Sequence, residues 1–232
     1  MSGTLYGIGL GPGAADLLTL RAARLIEAAE VVAYPAPEGG ESLARSIAAG
    51  LIPAAAREIR IEVPMRPARE PAQTAYDRGA AEIAAALDEG LDVALLCEGD
   101  PLFYGSFMYI AARLAGREIE VVPGITSLSA ATAAARLPLV ARDERLEVLS
   151  AGLDEAALEA RIAAADAVAV LKLGRHKDKL ARVLGRLGLT GRTTYAQHVS
   201  MPGQVLCPFD EAPAVAPYFS LLLITKGEDP WL

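Results

Sequence analysis

Leu5-Tyr6-Gly7-Ile8-Gly9-Leu10-Gly11-Pro12-Gly13 begins as an apolar strand and ends as a string of glycines. Two later stretches repeat the design. Asp92–Cys97 runs into Glu98-Gly99-Asp100-Pro101-Leu102-Phe103-Tyr104-Gly105-Ser106, and Glu118–Val122 runs into Pro123-Gly124-Ile125-Thr126-Ser127. A strand that stops in glycine leaves bare amides and carbonyls at a sheet edge. Open parallel sheets bind their ligands outside the carboxyl ends of their strands. Three such turns predict one small-molecule site built from several strand ends.

Between the turns, strands and helices alternate. Apolar or alternating runs predict strands at Leu5–Leu10, Arg57–Val63, Asp92–Cys97 and Glu118–Val122, and a short one over Val31–Tyr34 stopped by Pro35 and Pro37. Leu18, Ala22, Leu25, Ile26 and Ala29 recur at helical spacing, with Asp16 or Thr19 placed to cap that helix. Helices are also expected over Ser42–Leu51, over Ala72–Glu89 with Gly90 closing it, and over Phe107–Leu114. Pro64, Pro67 and Pro71 bracket a stiff, charged loop. This alternation predicts a parallel sheet with helices on both faces. After Gly124 the pattern changes. Helices Ser127–Ala135, Glu155–Ala165 and Lys177–Leu187 are expected with strands Leu146–Ser150, Ala167–Leu173, Thr193–His198, Val205–Cys207 and Phe219–Thr225. The short connections between the later strands point to a mixed sheet. Two α/β domains follow, 1–122 and 123–232.

Composition narrows the function. The chain has 232 residues, 53% of them hydrophobic, and a formal net charge of −7. That balance argues against general nucleic-acid binding, which needs a basic footprint. Only Cys97 and Cys207 are present. They make neither a disulfide framework nor a metal-ligand spacing, and no His/Cys/Asp cluster suggests a protein-bound metal. No signal-peptide pattern and no bilayer-length apolar run is seen, so a cytoplasmic protein without membrane contact is expected.

The glycines do not spell a dinucleotide site. A Gly-x-Gly-x-x-Gly fingerprint started at Gly7 reaches Pro12, and one started at Gly9 reaches Ala14. The second strand lacks a terminal acid, and no Gly-Lys-Ser/Thr follows. A tight turn without ligand accounts for the first motif as well as a binding loop does. Asp100 reads as a helix cap or as an acceptor for ligand hydroxyls. Phe103, Tyr104, Phe107 and Tyr109 read as helix-face packing or as a wall for a flat, conjugated substrate. Thr126 and Ser127 read as N-caps or as hydroxyls facing a ligand at a positive helix end.

Taken together, Leu5–Gly13 with Leu17-Leu18-Thr19-Leu20, Glu98-Gly99-Asp100-Pro101 and Val122–Ser127 resemble the motifs of the tetrapyrrole (precorrin/corrin) methyltransferase family. The resemblance covers nearly the whole chain. Ala33-Tyr34-Pro35 and Phe103-Tyr104-Gly105-Ser106-Phe107-Met108-Tyr109 look like the precorrin-2 C20-methyltransferase branch. Two places depart from the pattern: Ala14 stands for the usual acid, and Gln197-His198-Val199-Ser200-Met201-Pro202 for the usual Glu-Arg-Ala-Thr-Met-Pro.

The resemblance implies two α/β domains with S-adenosylmethionine (SAM) in the cleft between them, and a homodimer. It implies methylation of C20 of precorrin-2 to precorrin-3A in cobalamin (porphyrin-type tetrapyrrole) synthesis. Cobalt-factor II of the anaerobic route is the alternative substrate, and a non-catalytic SAM- or nucleotide-binding module the remoter one. SAM contacts are implied at Pro12, Glu98, Gly99, Asp100, Phe103, Thr126, Ser127, Leu173 and Val199. The polycarboxylate substrate calls for local positive charge, and Arg66, Arg69, Arg142 and Lys172 are the preferred set, with Tyr104 beside them. The catalytic base is left unassigned, with Asp100, Tyr104 and His176 as candidates.

Overall fold

The computed structural model describes residues 2–64 and 69–227. The expected substrate arginine Arg66 lies outside the described residues. Arg69 enters only as the first residue of a helix, its side chain being outside them too. The chain divides into two compact units, Met1–Thr126 and Ser127–Leu232.

The first unit holds five parallel strands: β1 (Leu5–Gly9), β2 (Val31–Pro37), β3 (Arg57–Val63), β4 (Val93–Cys97) and β5 (Ile119–Val122). Their order is β3-β2-β4-β1-β5. The helices are α1 (Leu20–Glu27), α2 (Leu43–Ala48), α3 (Arg69–Asp88) and α4 (Phe107–Arg113). Alternate residues of β1, β2 and β4 feed two cores. Leu5, Val31, Ala33, Val93 and Leu95 pack with Tyr76, Ile83 and Leu87 of α3 and Ile110 of α4. Ile8, Val32, Ala94 and Leu96 pack with Ala22 and Ile26 of α1 and Ala44 and Ile47 of α2. A sheet covered on both faces explains why β4 is buried at every position.

Two expectations fail here, both at proline. β2 does not stop at Tyr34 but runs through Pro35 and Pro37. It pairs with β4 only over Val31–Ala33, whereas its pairing with β3 continues to Pro37. The prolines therefore lie where the strand has one neighbour, so a missing N–H on the open side costs no ladder bond. Pro71 is not in a loop but in the first turn of α3, where the amide has no intrahelical partner to lose. At α1 the cap is Thr19, whose hydroxyl accepts from Ala22 N–H at 3.1 Å. Asp16 sits instead in a 3-10 turn.

On the outer strand, Arg45 of α2 grips Glu58 of β3 with both arms, at 2.6 and 2.8 Å, and Tyr34 Oη donates to the same carboxylate at 2.6 Å. The Arg45 guanidinium first, and then the Tyr34 hydroxyl, hold the Glu58 carboxyl at about 2, against an ordinary 4.5. A carboxylate depressed by folding stabilises above its unfolded value and loses that contribution as pH falls toward the folded one. Glu58→Gln is expected to lower stability at neutral pH by about 1 kcal/mol, a figure discounted because the pair is partly exposed. The gap between variant and parent should close between pH 4.5 and 2. Urea unfolding across that range checks it, and a gap that stays constant would rule the linkage out.

The second unit holds β6 (Leu146–Ser150), β7 (Ala167–Leu171), β8 (Thr193–Gln197), β9 (Val205–Pro208) and β10 (Ser220–Thr225), in the order β6-β7-β10-β8-β9. β6 and β7 are parallel, and β10 is antiparallel to both β7 and β8. The sheet is mixed, as the short connections predicted. Helices α5 (Ser127–Ala135), α6 (Glu155–Ala164) and α7 (Lys177–Leu187) complete the unit. Leu158 and Ile162 of α6 and Leu180, Val183 and Leu184 of α7 pack on Leu149, Val168, Val170, Tyr195 and Leu222.

Candidate active site

In the first sheet β1 lies between β4 and β5, all parallel, so the three glycine turns leave the same edge side by side. The first two are joined there through backbone. Gly11 N–H donates to Gly99 O at 3.1 Å, and Gly99 N–H to Gly11 O at 2.8 Å. A Cβ built on Gly9 would lie 2.5 Å from Gly124 N, and one built on Gly124 would lie 2.1 Å from Gly99 O. No side chain fits between these turns. Gly99 itself is left-handed (φ +68°), and a Cβ there would meet nothing within 4 Å. Its outer side is open backbone, and its paired neighbour Gly11 leads directly into Pro12 and Gly13. That open, Cβ-free surface fits a small molecule laid against main chain.

Asp100 serves as the fastener of this edge. One carboxylate oxygen accepts from Leu102 N–H (2.9 Å) and Phe103 N–H (3.1 Å), and the other from Gly124 N–H (3.1 Å). Asp100 is therefore not a helix cap, since Ser106 holds that place ahead of α4; its carboxylate ties the amides of its own turn and reaches the third turn. A carboxylate engaged by three amides is a positioning group, which weakens Asp100 as a candidate base. Glu98 accepts from Ala44 N–H near the start of α2; burial raises its carboxyl, while its own amide and that of Ala44 oppose the rise. Cys97 is buried at 2% exposure, and burial, then Glu98 and Asp100, push its thiol upward, which keeps it an inert core thiol.

The aromatic run divides its labour. The Phe107 ring lies against the bare Cα of Gly7, where a Cβ would come within 2.3 Å of it. Tyr109 stacks on Tyr76 of α3 at 5.2 Å. Phe103 and Tyr104 form an edge-on pair at 5.3 Å, exposed beyond β4, with Tyr104 in left-handed backbone (φ +58°). So packing claims Phe107, and only Phe103 and Tyr104 are left to present a ring at the turn.

The remaining expected residues, Thr126 apart, belong to the second unit. Thr126 closes the first unit and Ser127 begins α5. Lys172 and Leu173 follow β7, and Val199 follows β8. The Leu173 side chain is fully buried in its unit's core and Val199 is nearly so, so a ligand would meet their backbone atoms. His176 lies in a 3-10 turn; burial, then Lys179 and Arg175, lower its imidazole, which favours the neutral form. The dense basic run around it is largely structural. Lys177 Nζ donates to Ala212 O (2.9 Å) and Pro213 O, and Lys179 Nζ donates to Leu153 O. Arg142, exposed and left-handed (φ +49°), lies between α5 and β6.

Sequence reasoning missed the contact of Gly9 with Gly124 and the exposed pair Tyr218–Phe219 ahead of β10. The adjacent aromatics at a strand start were the available signal for the second. Among the described residues, no group of His, Cys, Asp and Glu could hold a metal ion, and no helix is long and apolar enough to cross a membrane.

A family model described as Tetrapyrrole (Corrin/Porphyrin) Methylases matches residues 4–212. The chain is 37% identical to the precorrin-2 C(20)-methyltransferase of a Sinorhizobium species, over 98% of this chain and 97% of that one. It is 41% identical to the cobalamin biosynthesis protein CobIJ of Mycobacterium tuberculosis over 97% of its own length. The chain spans about half the length of that relative, 46%. Among solved structures it resembles the uroporphyrin-III C-methyltransferase of Thermus thermophilus in complex with S-adenosylhomocysteine. The TM-score is 0.68 at 27% identity, covering 97% of this chain and 92% of that one.

Proposed function

The chain belongs to the tetrapyrrole (corrin/porphyrin) methylase family, and we propose that it transfers a methyl group from SAM to C20 of precorrin-2, giving precorrin-3A in cobalamin synthesis. The observation that carries this reading is the joining of three glycine turns into one open backbone edge, with Gly99 bare at its centre. The full-length likeness to a precorrin-2 C(20)-methyltransferase supports the choice of substrate.

The donor's methyl sits on a sulfonium, so transfer needs alignment of nucleophile, methyl and sulfur rather than an acid to expel the leaving group. A site made mostly of main chain suits that demand. Pro12, Glu98, Gly99, Asp100 and Phe103 are assigned to hold SAM on the first unit. Glu98 and Asp100 act there largely by fixing the turn. Thr126, Ser127, Leu173 and Val199 complete the proposed SAM set, the last two through backbone. Tyr104, Arg142 and Lys172 are assigned to the substrate and its carboxylates. The reading also carries a homodimer acting in the cytoplasm, with SAM as its sole cofactor.

The test is turnover. Precorrin-2 prepared without oxygen, and cobalt-factor II in parallel, are incubated with SAM, and the products are weighed by mass spectrometry. Methylation of precorrin-2 at C20 is the expected result. Methylation of the cobalt-loaded ring alone would move the substrate to the anaerobic route. Tight SAM binding without methyl loss to either ring would leave a binding module.

A further inference from the structure

One edge of the second sheet gathers strained backbone. Lys172 after β7 (φ +60°), and His198 (+47°) and Ser200 (+63°) after β8, are left-handed although none is glycine. Each such residue costs roughly 1–2 kcal/mol, and strain of this kind collects at functional sites. β10 runs against both β7 and β8, so its beginning lies at the same edge. Leu173 N–H donates to Ser220 O at 3.1 Å, and His198 N–H donates to Phe219 O at 3.0 Å. These bonds fix the segment that carries Tyr218 and Phe219 beside the Lys172 loop. Tyr218 is 46% and Phe219 45% exposed, and their rings meet edge-on at 5.2 Å. The Lys172 ammonium lies 5.9 Å from the centre of the Tyr218 ring.

We propose that Tyr218 and Lys172 together recognise the tetrapyrrole, Tyr218 giving a face to the conjugated ring and Lys172 pairing with a peripheral carboxylate. This rests on the tetrapyrrole reading above. The chemistry matches in both parts. A large exposed ring gains by stacking on a flat partner, and the ammonium held over that ring selects an occupant fringed with anions. Phe219, edge-on to Tyr218, is a positioning residue for that ring.

The test reads binding rather than turnover. Precorrin-2 is titrated by absorbance with S-adenosylhomocysteine present, so no methyl moves, and S-adenosylhomocysteine affinity is measured separately by calorimetry. Tyr218→Leu keeps apolar bulk and removes the flat face, and Lys172→Gln keeps reach and removes the charge. Each is expected to weaken precorrin-2 binding about tenfold while S-adenosylhomocysteine affinity holds. Lys172→Gly should weaken precorrin-2 as well while raising the thermal midpoint, because it relieves the backbone. Unchanged precorrin-2 affinity in both Tyr218→Leu and Lys172→Gln would overturn the proposal. So would an equal loss of S-adenosylhomocysteine affinity, or a change of oligomeric state with precorrin-2 affinity intact, which would give the edge to a second copy. A parent protein that binds precorrin-2 through these residues yet never methylates it would overturn the proposed activity and leave this site standing.

Discussion

Gly99→Val is expected to reduce S-adenosylhomocysteine affinity by at least about a hundredfold, equivalent to about 2.7 kcal/mol, in a protein that remains folded. Beyond the residues on either side of it, nothing lies within 4 Å of a Cβ at this position, so the new side chain starts in open space and projects over the backbone edge. The fold bears only the left-handed penalty, roughly 1–2 kcal/mol. Gly116→Val separates the two effects. Gly116 is also left-handed (φ +91°) with nothing within 4 Å, and it lies in the turn after α4, away from the glycine edge. It should lose comparable stability and keep full affinity. Calorimetry on both variants decides the matter. Parent-like affinity in Gly99→Val, or equal loss in Gly116→Val, would remove the central turn from the ligand site.

Gly124→Ala attacks the same edge from inside and should be the more damaging to the fold. Its Cβ would lie 2.1 Å from Gly99 O and 2.9 Å from both C and Cα of Gly9. All of these are backbone atoms, so no rotamer change relieves the overlap. Gly124 is not among the glycines with left-handed φ, so the requirement is space and not conformation. The expected loss is on the order of 3 kcal/mol, the upper range for an overpacked site. Relief can come only by separating the turns, which stretches the bond from Gly124 N–H to Asp100. Gly9→Ala fills the gap from the opposite strand, so the double variant should lose less than the two single losses added together. Urea unfolding of the three variants tests both statements. A Gly124→Ala loss under about 1 kcal/mol would mean that the turns are not pressed together.

Much of this molecule was legible along the chain because its signals are local. Strand ends at Gly9, Cys97 and Val122 follow from apolar runs meeting glycine. Helix α7 runs from Lys177 to Leu187 and stops at left-handed Gly188, a boundary set by periodicity and a C-terminal glycine. The prolines of β2 were misjudged because their cost depends on whether a neighbouring strand is present, and sequence does not show which strands are edges. Where the flexible stems of Lys177 and Lys179 lead is equally invisible in a charge run. In the folded chain both reach carbonyls of distant segments.

The candidate site divides along the same line. Residue types alone determined that this chain makes glycine-ended strands of a parallel sheet, and that Asp100 sits at a turn where a carboxylate can cap. Only tertiary structure decided that Gly9, Gly99 and Gly124 touch, that Asp100 ties its own turn to one twenty-four residues on, and that Phe107 is core while Tyr218 faces outward. The reason is physical. Backbone conformation and periodicity are set by neighbours in sequence, whereas close approach, burial and the choice of partner are set by strand order, which brings remote segments to one edge.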